Sequence, residues 1–265
     1  MVTVTGFPVA LTIAGSDPSG GAGIQADLKT FHQFGVYGEA ALTLLTVQNT
    51  RGVTRVECMP AGLVVEQVRA VISDIPPCAA KTGALGNREI IAAVAEIAGD
   101  FQFPLIVDPV MVSKLGASLL DPDSVEILKS RLLPRAFLVT PNLEEAALLT
   151  GSGIRDLAAM RAAARTIAGW GPQAVLVKGG HLAGDAADVL FYQGEFAEFT
   201  APRIATGHTH GTGCTYSAAI TALLAKGDDL EGAVRAAKQF ITAAISSNPG
   251  LGAGSGPVNH HAKVR

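Results

Sequence analysis

Val9-Ala10-Leu11-Thr12-Ile13-Ala14, then Gly15-Ser16-Asp17-Pro18-Ser19-Gly20-Gly21-Ala22-Gly23, then Ile24-Gln25-Ala26-Asp27-Leu28-Lys29-Thr30-Phe31 reads as a buried strand, a glycine-rich turn and an amphipathic helix. The strand is almost wholly apolar, as one covered on both faces must be. Ile24, Leu28 and Phe31 then recur at the spacing of one helix face. The same alternation continues along the chain. Apolar runs at 41–47, 78–82, 105–107, 137–140 and 175–178 have strand length, and helical patterns fall at 24–31, 63–75, 90–98, 125–133, 157–167, 215–225 and 230–245. Repetition of this kind builds βαβ units, an α/β fold with a mostly parallel central sheet and helices on both faces. Residues 189–199 depart from it, with Gln193-Gly194 between two apolar halves, and read as a hairpin at a sheet edge. Nothing resembling a linker or repeat interrupts the pattern, so 1–265 reads as a single domain. The Gly- and His-rich tail 248–265 is expected to be loosely held.

Composition narrows the function. The 265 residues are 48% hydrophobic and 16% charged, the profile of a heavily buried globular protein rather than a disordered one. A net charge of −3 makes no electrostatic case for nucleic acid or an anionic membrane. No apolar run approaches the roughly 20 residues that span a bilayer. The first residues lack a basic segment, and the apolar run at 9–14 is too short for a signal peptide. Cys58, Cys78 and Cys214 form neither a disulfide framework nor a metal-binding spacing. These features together imply a cytoplasmic protein.

In a parallel sheet, ligands bind beyond the carboxyl ends of the strands, and there the chain concentrates its polar residues. Gly211-Thr212-Gly213-Cys214 precedes a helix expected over 215–225. Small residues let successive N–H groups face one point, and the helix dipole adds partial positive charge, which makes an anion cradle. The same field is expected to lower the Cys214 pKa. The plainer reading is a tight strand-to-helix junction with a buried cysteine. The loop 14–23 has no Gly-Lys-Ser/Thr and lacks dinucleotide glycine spacing, so it is not a nucleotide loop of either kind. Asp27 borders the buried face of its helix, where a carboxylate needs a donor from protein or ligand. Asn142 and Glu145 share one side of a helix's first turn; with Asp108 at a strand end they could hold Mg²⁺ through water. Glu145 also suits a helix N-terminus for dipole reasons alone. Lys178 ends an apolar strand beside Gly179-Gly180, placed to reach a phosphate or to extend to solvent. His208 and His210 precede the cradle, but no third group completes a Cys-His nucleophile.

Taken in order, the motifs at 14–27, Gln48-Asn49-Thr50, Lys81-Thr82-Gly83, Asp108-Pro109-Val110-Met111, Thr140-Pro141-Asn142, Val177-Lys178-Gly179-Gly180-His181 and Thr209-His210-Gly211-Thr212-Gly213-Cys214-Thr215 resemble the hydroxymethylpyrimidine / phosphomethylpyrimidine kinases of thiamine biosynthesis, in the ribokinase-like superfamily. The likeness runs from about residue 10 to 257. It implies a ribokinase-like three-layer sandwich and ATP-dependent phosphorylation of 4-amino-5-hydroxymethyl-2-methylpyrimidine and of its monophosphate, with Mg²⁺. It further implies substrate contacts at Ala22, Asp27, Gln48, Val110 and Ala84, and ATP contacts at Lys178, Asn142 and His210. Mg²⁺ would be organised by Asp108 and Glu145, the cradle formed by Gly211, Thr212 and Gly213, and Cys214 would stand where many relatives carry a catalytic Asp. A homodimer formed through a sheet edge is implied too. Two positions depart from the family pattern. Ala84 stands where Met is frequent, and Thr46 where an apolar residue is, so substrate preference is the point they touch. The alternatives are a pyridoxal kinase of the same cysteine-bearing branch, disfavoured by Gln48 and His181; a Cys-dependent hydrolase; and a binding protein without turnover.

Overall fold

The computed structural model describes residues 6–111, 122–180 and 184–263; His181 lies outside them. Nine strands form one sheet: β1 (Val9–Ser16), β2 (Tyr37–Asn49), β3 (Gly52–Cys58), β4 (Ala79–Thr82), β5 (Leu105–Val107), β6 (Leu138–Val139), β7 (Ala174–Gly179), β8 (Ala186–Tyr192) and β9 (Glu195–Ala201). Their spatial order is β3-β2-β1-β4-β5-β6-β7-β8-β9. The six strands from β2 to β7 in that order pair in parallel. Antiparallel strands close both edges: β3 on β2, and the β8–β9 hairpin on β7.

Alternation within the strands builds two apolar layers. Leu11 and Ile13, Leu105 and Val107, and Val175 and Val177 join one core. Ala10, Ile106, Ala174 and Leu176 turn to the other. Helices α2 (Ala61–Asp74), α3 (Arg88–Ile97), α4 (Pro122–Ile127), α5 (Leu143–Thr150) and α6 (Leu157–Ala168) lie along the chain with the first core, to which α2, α3, α5 and α6 contribute Val64, Ile90, Ala146 and Met160. Helices α1 (Gly23–Gln33), α7 (Thr212–Ala225) and α8 (Leu230–Ser246) contribute Phe31, Ile220 and Phe240 to the second. The result is the three-layer sandwich expected.

The structure corrects the sequence reading in four places. Strand β3 was missed because most of its residues are exposed, so no apolar run marks it. The helix expected over 125–133 is α4 followed by a π-helical stretch, Leu128–Leu132, and a 3₁₀ turn, Leu133–Arg135. Pro134, with no N–H to give, stops a regular helix there. Helix α7 begins at Thr212, so the cradle is its first turn rather than a loop before it.

The fourth correction concerns the tail. Far from loose, it packs: Val258, His260 and Ala262 are buried. Its backbone also straps the site. Ser255 N donates to the Thr50 carbonyl at 2.8 Å, His210 N to that of Gly256 at 3.0 Å, and Val258 N to that of His210 at 3.3 Å. Main-chain bonding of this kind is indifferent to side chains, which is why a Gly- and His-rich composition concealed it.

Candidate active site

The carboxyl ends of the parallel strands open into one cavity of about 720 Å³. Every residue singled out above for binding or catalysis lines it: Ala22, Asp27, Gln48, Ala84, Asp108, Val110, Asn142, Glu145, Lys178, His210 and the cradle from Gly211 to Cys214.

The cradle is built by backbone constraint. Gly211 caps α7 with φ of +76°, and a β-carbon there would overlap the Gly21 carbonyl oxygen. Only glycine allows the loop after β1 to pass so close. Beside it, the Lys178 ammonium is 2.8 Å from Asp108 Oδ1, with both residues buried. Thr140 Oγ1 donates to the same oxygen at 3.1 Å, and Ser217 Oγ to Asp108 Oδ2 at 3.2 Å. Burial opposes the Lys178 charge, but Asp108 and Glu145 outweigh it and raise its pKa. Burial likewise opposes the Asp108 carboxylate, which Lys178 and Lys81 hold below its ordinary range. Lys178 therefore keeps its positive charge next to the first turn of α7.

Asn142 and Glu145 form a capping box on α5: Asn142 Oδ1 accepts from Glu145 N at 2.9 Å, and Glu145 Oε2 from Asn142 N at 2.8 Å. Burial pushes Glu145 up to about 8; Lys178 opposes this, while Asp108 and Glu144 add to it. The dipole-favoured acid foreseen for this position is thus present, on a carboxyl raised chiefly by burial.

Asp27, also in the cavity wall, is fully buried. Its Oδ2 accepts from Thr12 Oγ1 at 2.7 Å and from the Lys81 ammonium at 2.8 Å. Its Oδ1 is sealed from water and has no partner among the described residues. Burial pushes the Asp27 carboxyl up against the pull of Lys81, and the Lys81 ammonium is raised against burial chiefly by Asp27. The donor demanded by a buried carboxylate is thus met for one oxygen and not for the other.

Gln48 follows an irregularity in the β2–β3 register between Val47 and Gln48, the kind of bulge that re-aims a side chain. Its amide lies 3.2 Å from His210 Nε2, which is 2.7 Å from Asp17 Oδ2. His210, expected to contact ATP, lines the cavity and also joins the β1 loop to the cradle. Burial works against the Asp17 charge, but the bonds from His210 and Ser19 hold it below the usual range. For Cys214 the expectation reverses. Burial pushes the thiol up to about 12, opposed by Lys81 but aided by Asp27 and Asp108, and the Gly23 N–H bonded to it only partly compensates. The helix field is real, but it is outweighed, and the thiol is protonated at neutral pH.

Comparison with known proteins decides among the readings. The model of the phosphomethylpyrimidine kinase family matches residues 17–259. The hydroxymethylpyrimidine/phosphomethylpyrimidine kinase of Rhizobium meliloti is 53% identical over 256 residues, covering 95% of this chain and 96% of that protein. This chain belongs to the phosphomethylpyrimidine kinase family. It is a kinase of thiamine biosynthesis. A bifunctional thiamine biosynthesis protein of Geobacter sulfurreducens is 52% identical over 94% of this kinase, which spans about half (51%) of that longer relative. Among solved structures, phosphomethylpyrimidine kinase from Clostridium difficile has a TM-score of 0.79 at 43% identity, covering 89% of this kinase and 98% of that chain. Pyridoxal kinase from Staphylococcus aureus in complex with AMP-PCP and pyridoxal has a TM-score of 0.89 at 38% identity, covering 97% and 94%.

For a phosphotransferase, the residues overlooked in the sequence are informative. Lys81 stands within the Lys81-Thr82-Gly83 motif, while Asp17, Thr12, Thr140 and Ser217 are polar residues that the structure alone brings to the site. A signal existed for Lys81: a lone charge inside the apolar run 78–82, the same argument that singled out Lys178. No such signal marks the hydroxyls, whose partners lie 15 to 109 residues away in sequence. Among the described residues no helix is long and apolar enough to cross a membrane.

Proposed function

We infer that this kinase transfers the γ-phosphoryl group of ATP to the hydroxymethyl oxygen of 4-amino-5-hydroxymethyl-2-methylpyrimidine, and then phosphorylates the monophosphate to the diphosphate. The observation that carries this reading is the partnerless Asp27 Oδ1 in the wall of a cavity that also holds a glycine cradle flanked by a charged lysine. A buried carboxylate oxygen without a donor asks for an N–H, which the exocyclic amine supplies. Ala22, Val110 and Ala84 give the planar ring an apolar slot, and the Gln48 amide reads its edge.

Phosphoryl transfer depends on placement and charge neutralisation more than on covalent help. The N–H groups of the α7 first turn and the Lys178 ammonium meet the charge on the transferred group. Asn142 lies beside the phosphate chain, and the apolar side chains Ile204, Ile241 and Ile245 wall the part of the cavity suited to the nucleobase. Mg²⁺ fits this donor set: Asp108 and Glu145 both line the cavity, and Glu145, raised chiefly by burial, would gain from a nearby cation. Among the described residues no three His, Cys, Asp or Glu gather as a metal cage. The two carboxylates would therefore hold the ion largely through water and nucleotide oxygens, and it would neutralise phosphate charge. Cys214, a thiol at neutral pH, shapes the cradle and is not the base.

We also propose a homodimer, on the strength of Leu45 and Val47, 45% and 57% exposed on β2 beside the edge strand; sedimentation velocity measures it. An ATP-consuming kinase of this kind is placed in the cytoplasm, which cell fractionation would check.

Pyridoxal is the second acceptor to consider, because the solved pyridoxal kinases share this fold closely and Ala84 leaves room in the slot. The test is ADP release with Mg-ATP and each of three acceptors: the pyrimidine alcohol, its monophosphate and pyridoxal. We expect both pyrimidines to turn over, and Cys214→Ala to cost about tenfold or less, against the roughly 10²–10⁴ lost with a true general base. Turnover of pyridoxal alone would refute the pyrimidine assignment, and a thousandfold loss in Cys214→Ala would restore that residue as base.

A further inference from the structure

We propose that Lys81 is a positioning residue for acceptor choice: by binding Asp27 Oδ2 it fixes the carboxylate so that Oδ1 selects a 4-amino over a 4-oxo group. This rests on the pyrimidine reading above and extends it to a residue, bonded to Asp27, that the reading itself does not use.

The geometry is specific. Lys81 Nζ and Thr12 Oγ1 both donate to Oδ2, at 2.8 and 2.7 Å, and neither donates to Oδ1. All three side chains are fully buried, so no water can exchange for either donor. Oδ1 is left as an acceptor with nothing to accept from among the described residues. An ionised carboxylate accepts only; a protonated one also donates. Burial pushes the Asp27 carboxyl up, and the Lys81 ammonium bonded to Oδ2 is the group that favours its ionised form; to that form the acceptor's edge must bring an N–H. A 4-oxo edge would set its lone pairs against the carboxylate instead.

A purely structural role explains the pair poorly. Replacing a buried ion pair with apolar side chains is commonly neutral or stabilising, so such a pair is weak support for a fold. Here it also lines the ligand cavity, and it leaves one oxygen unused. Without Lys81, the carboxylate would be buried with no counter-charge within hydrogen-bond reach and would take up a proton. It could then donate as well as accept, and amino and oxo edges would be read alike.

The experiment measures kcat/KM by ADP release for the 4-amino acceptor and its 4-oxo counterpart in the wild type, Lys81→Met and Thr12→Val. The wild type is expected to prefer the amino compound by on the order of 10²-fold or more, as sites built around a buried hydrogen bond do. Lys81→Met is expected to compress that ratio at least tenfold, mainly by raising KM for the amino acceptor. Thr12→Val, nearly isosteric, should move the ratio the same way by a smaller factor, and decides the matter if Lys81→Met does not fold. An unchanged ratio in the folded variants, with both acceptors falling by one factor, would overturn the proposal and leave the pyrimidine reading standing. A wild type inactive on both acceptors would instead overturn the pyrimidine reading on which the proposal rests.

Discussion

Lys178→Met is expected to lower kcat by about 10³-fold and to raise the KM for ATP. The ammonium is buried, 2.8 Å from Asp108 Oδ1, and next to the first turn of α7. Losing one neutral preorganised donor from such a site typically costs about 3–4 kcal/mol of transition-state stabilisation, and a full charge should cost at least as much. The variant also leaves Asp108 with less compensation. Removing one partner of a buried pair costs about 3–5 kcal/mol of stability as a rule. Lys81, which also holds the Asp108 carboxylate down, should reduce that loss. The double variant Lys178→Met/Asp108→Asn separates the two effects: thermal stability should return while activity does not. Steady-state kinetics beside a thermal melt would measure both. Activity of Lys178→Met within tenfold of wild type would mean that the ammonium does not meet the phosphate chain.

Gly213→Ala should separate folding from catalysis still more cleanly. A β-carbon built at Gly213 meets nothing closer than Lys178 Nζ at 3.4 Å and Asp108 Oδ2 at 3.9 Å. The methyl group therefore fits the protein without ligand, and within a helix it should stabilise by about 0.5–1 kcal/mol relative to glycine. It would nevertheless occupy the space in front of the Lys178 ammonium, where the transferred phosphoryl group must sit. The expected result is an unchanged or slightly higher melting temperature with kcat reduced by about 10²-fold or more, the scale of one lost cradle donor. Gly211→Ala is a useful contrast. There both the positive φ and the overlap with the Gly21 carbonyl forbid the side chain, so stability and activity should fall together. A stable Gly213→Ala enzyme with activity within threefold of wild type would show that this glycine is only a packing feature.

Much of the architecture was legible because buried parallel strands declare themselves as apolar runs. Residues 105–107 and the hairpin around Gln193-Gly194 appear where the pattern put them. Edge strand β3 did not, since an exposed strand of mixed polarity carries no such signal. The site was legible as a set of residues, because loops after parallel strands converge whatever their sequence separation, and one cavity collects them all. Pairings were not. That Asp27 shares Oδ2 between Thr12 and Lys81 depends on two strands and a helix meeting side by side. The Cys214 thiol shows the same limit from another direction. Position at a helix N-terminus can be read from sequence, but burial between two carboxylates, which dominates its pKa, cannot.

In the proposed reaction one cavity phosphorylates the pyrimidine alcohol and then its monophosphate. Phosphorus-31 NMR on a single reaction, started with the alcohol and Mg-ATP, follows both steps directly. The expected result is a monoester resonance that rises and then declines as the paired resonances of a diphosphate grow, with ADP formed in step with the two transfers. ATP consumed to inorganic phosphate with no carbon-linked phosphorus signal would contradict it, and so would a monoester that accumulates without further reaction.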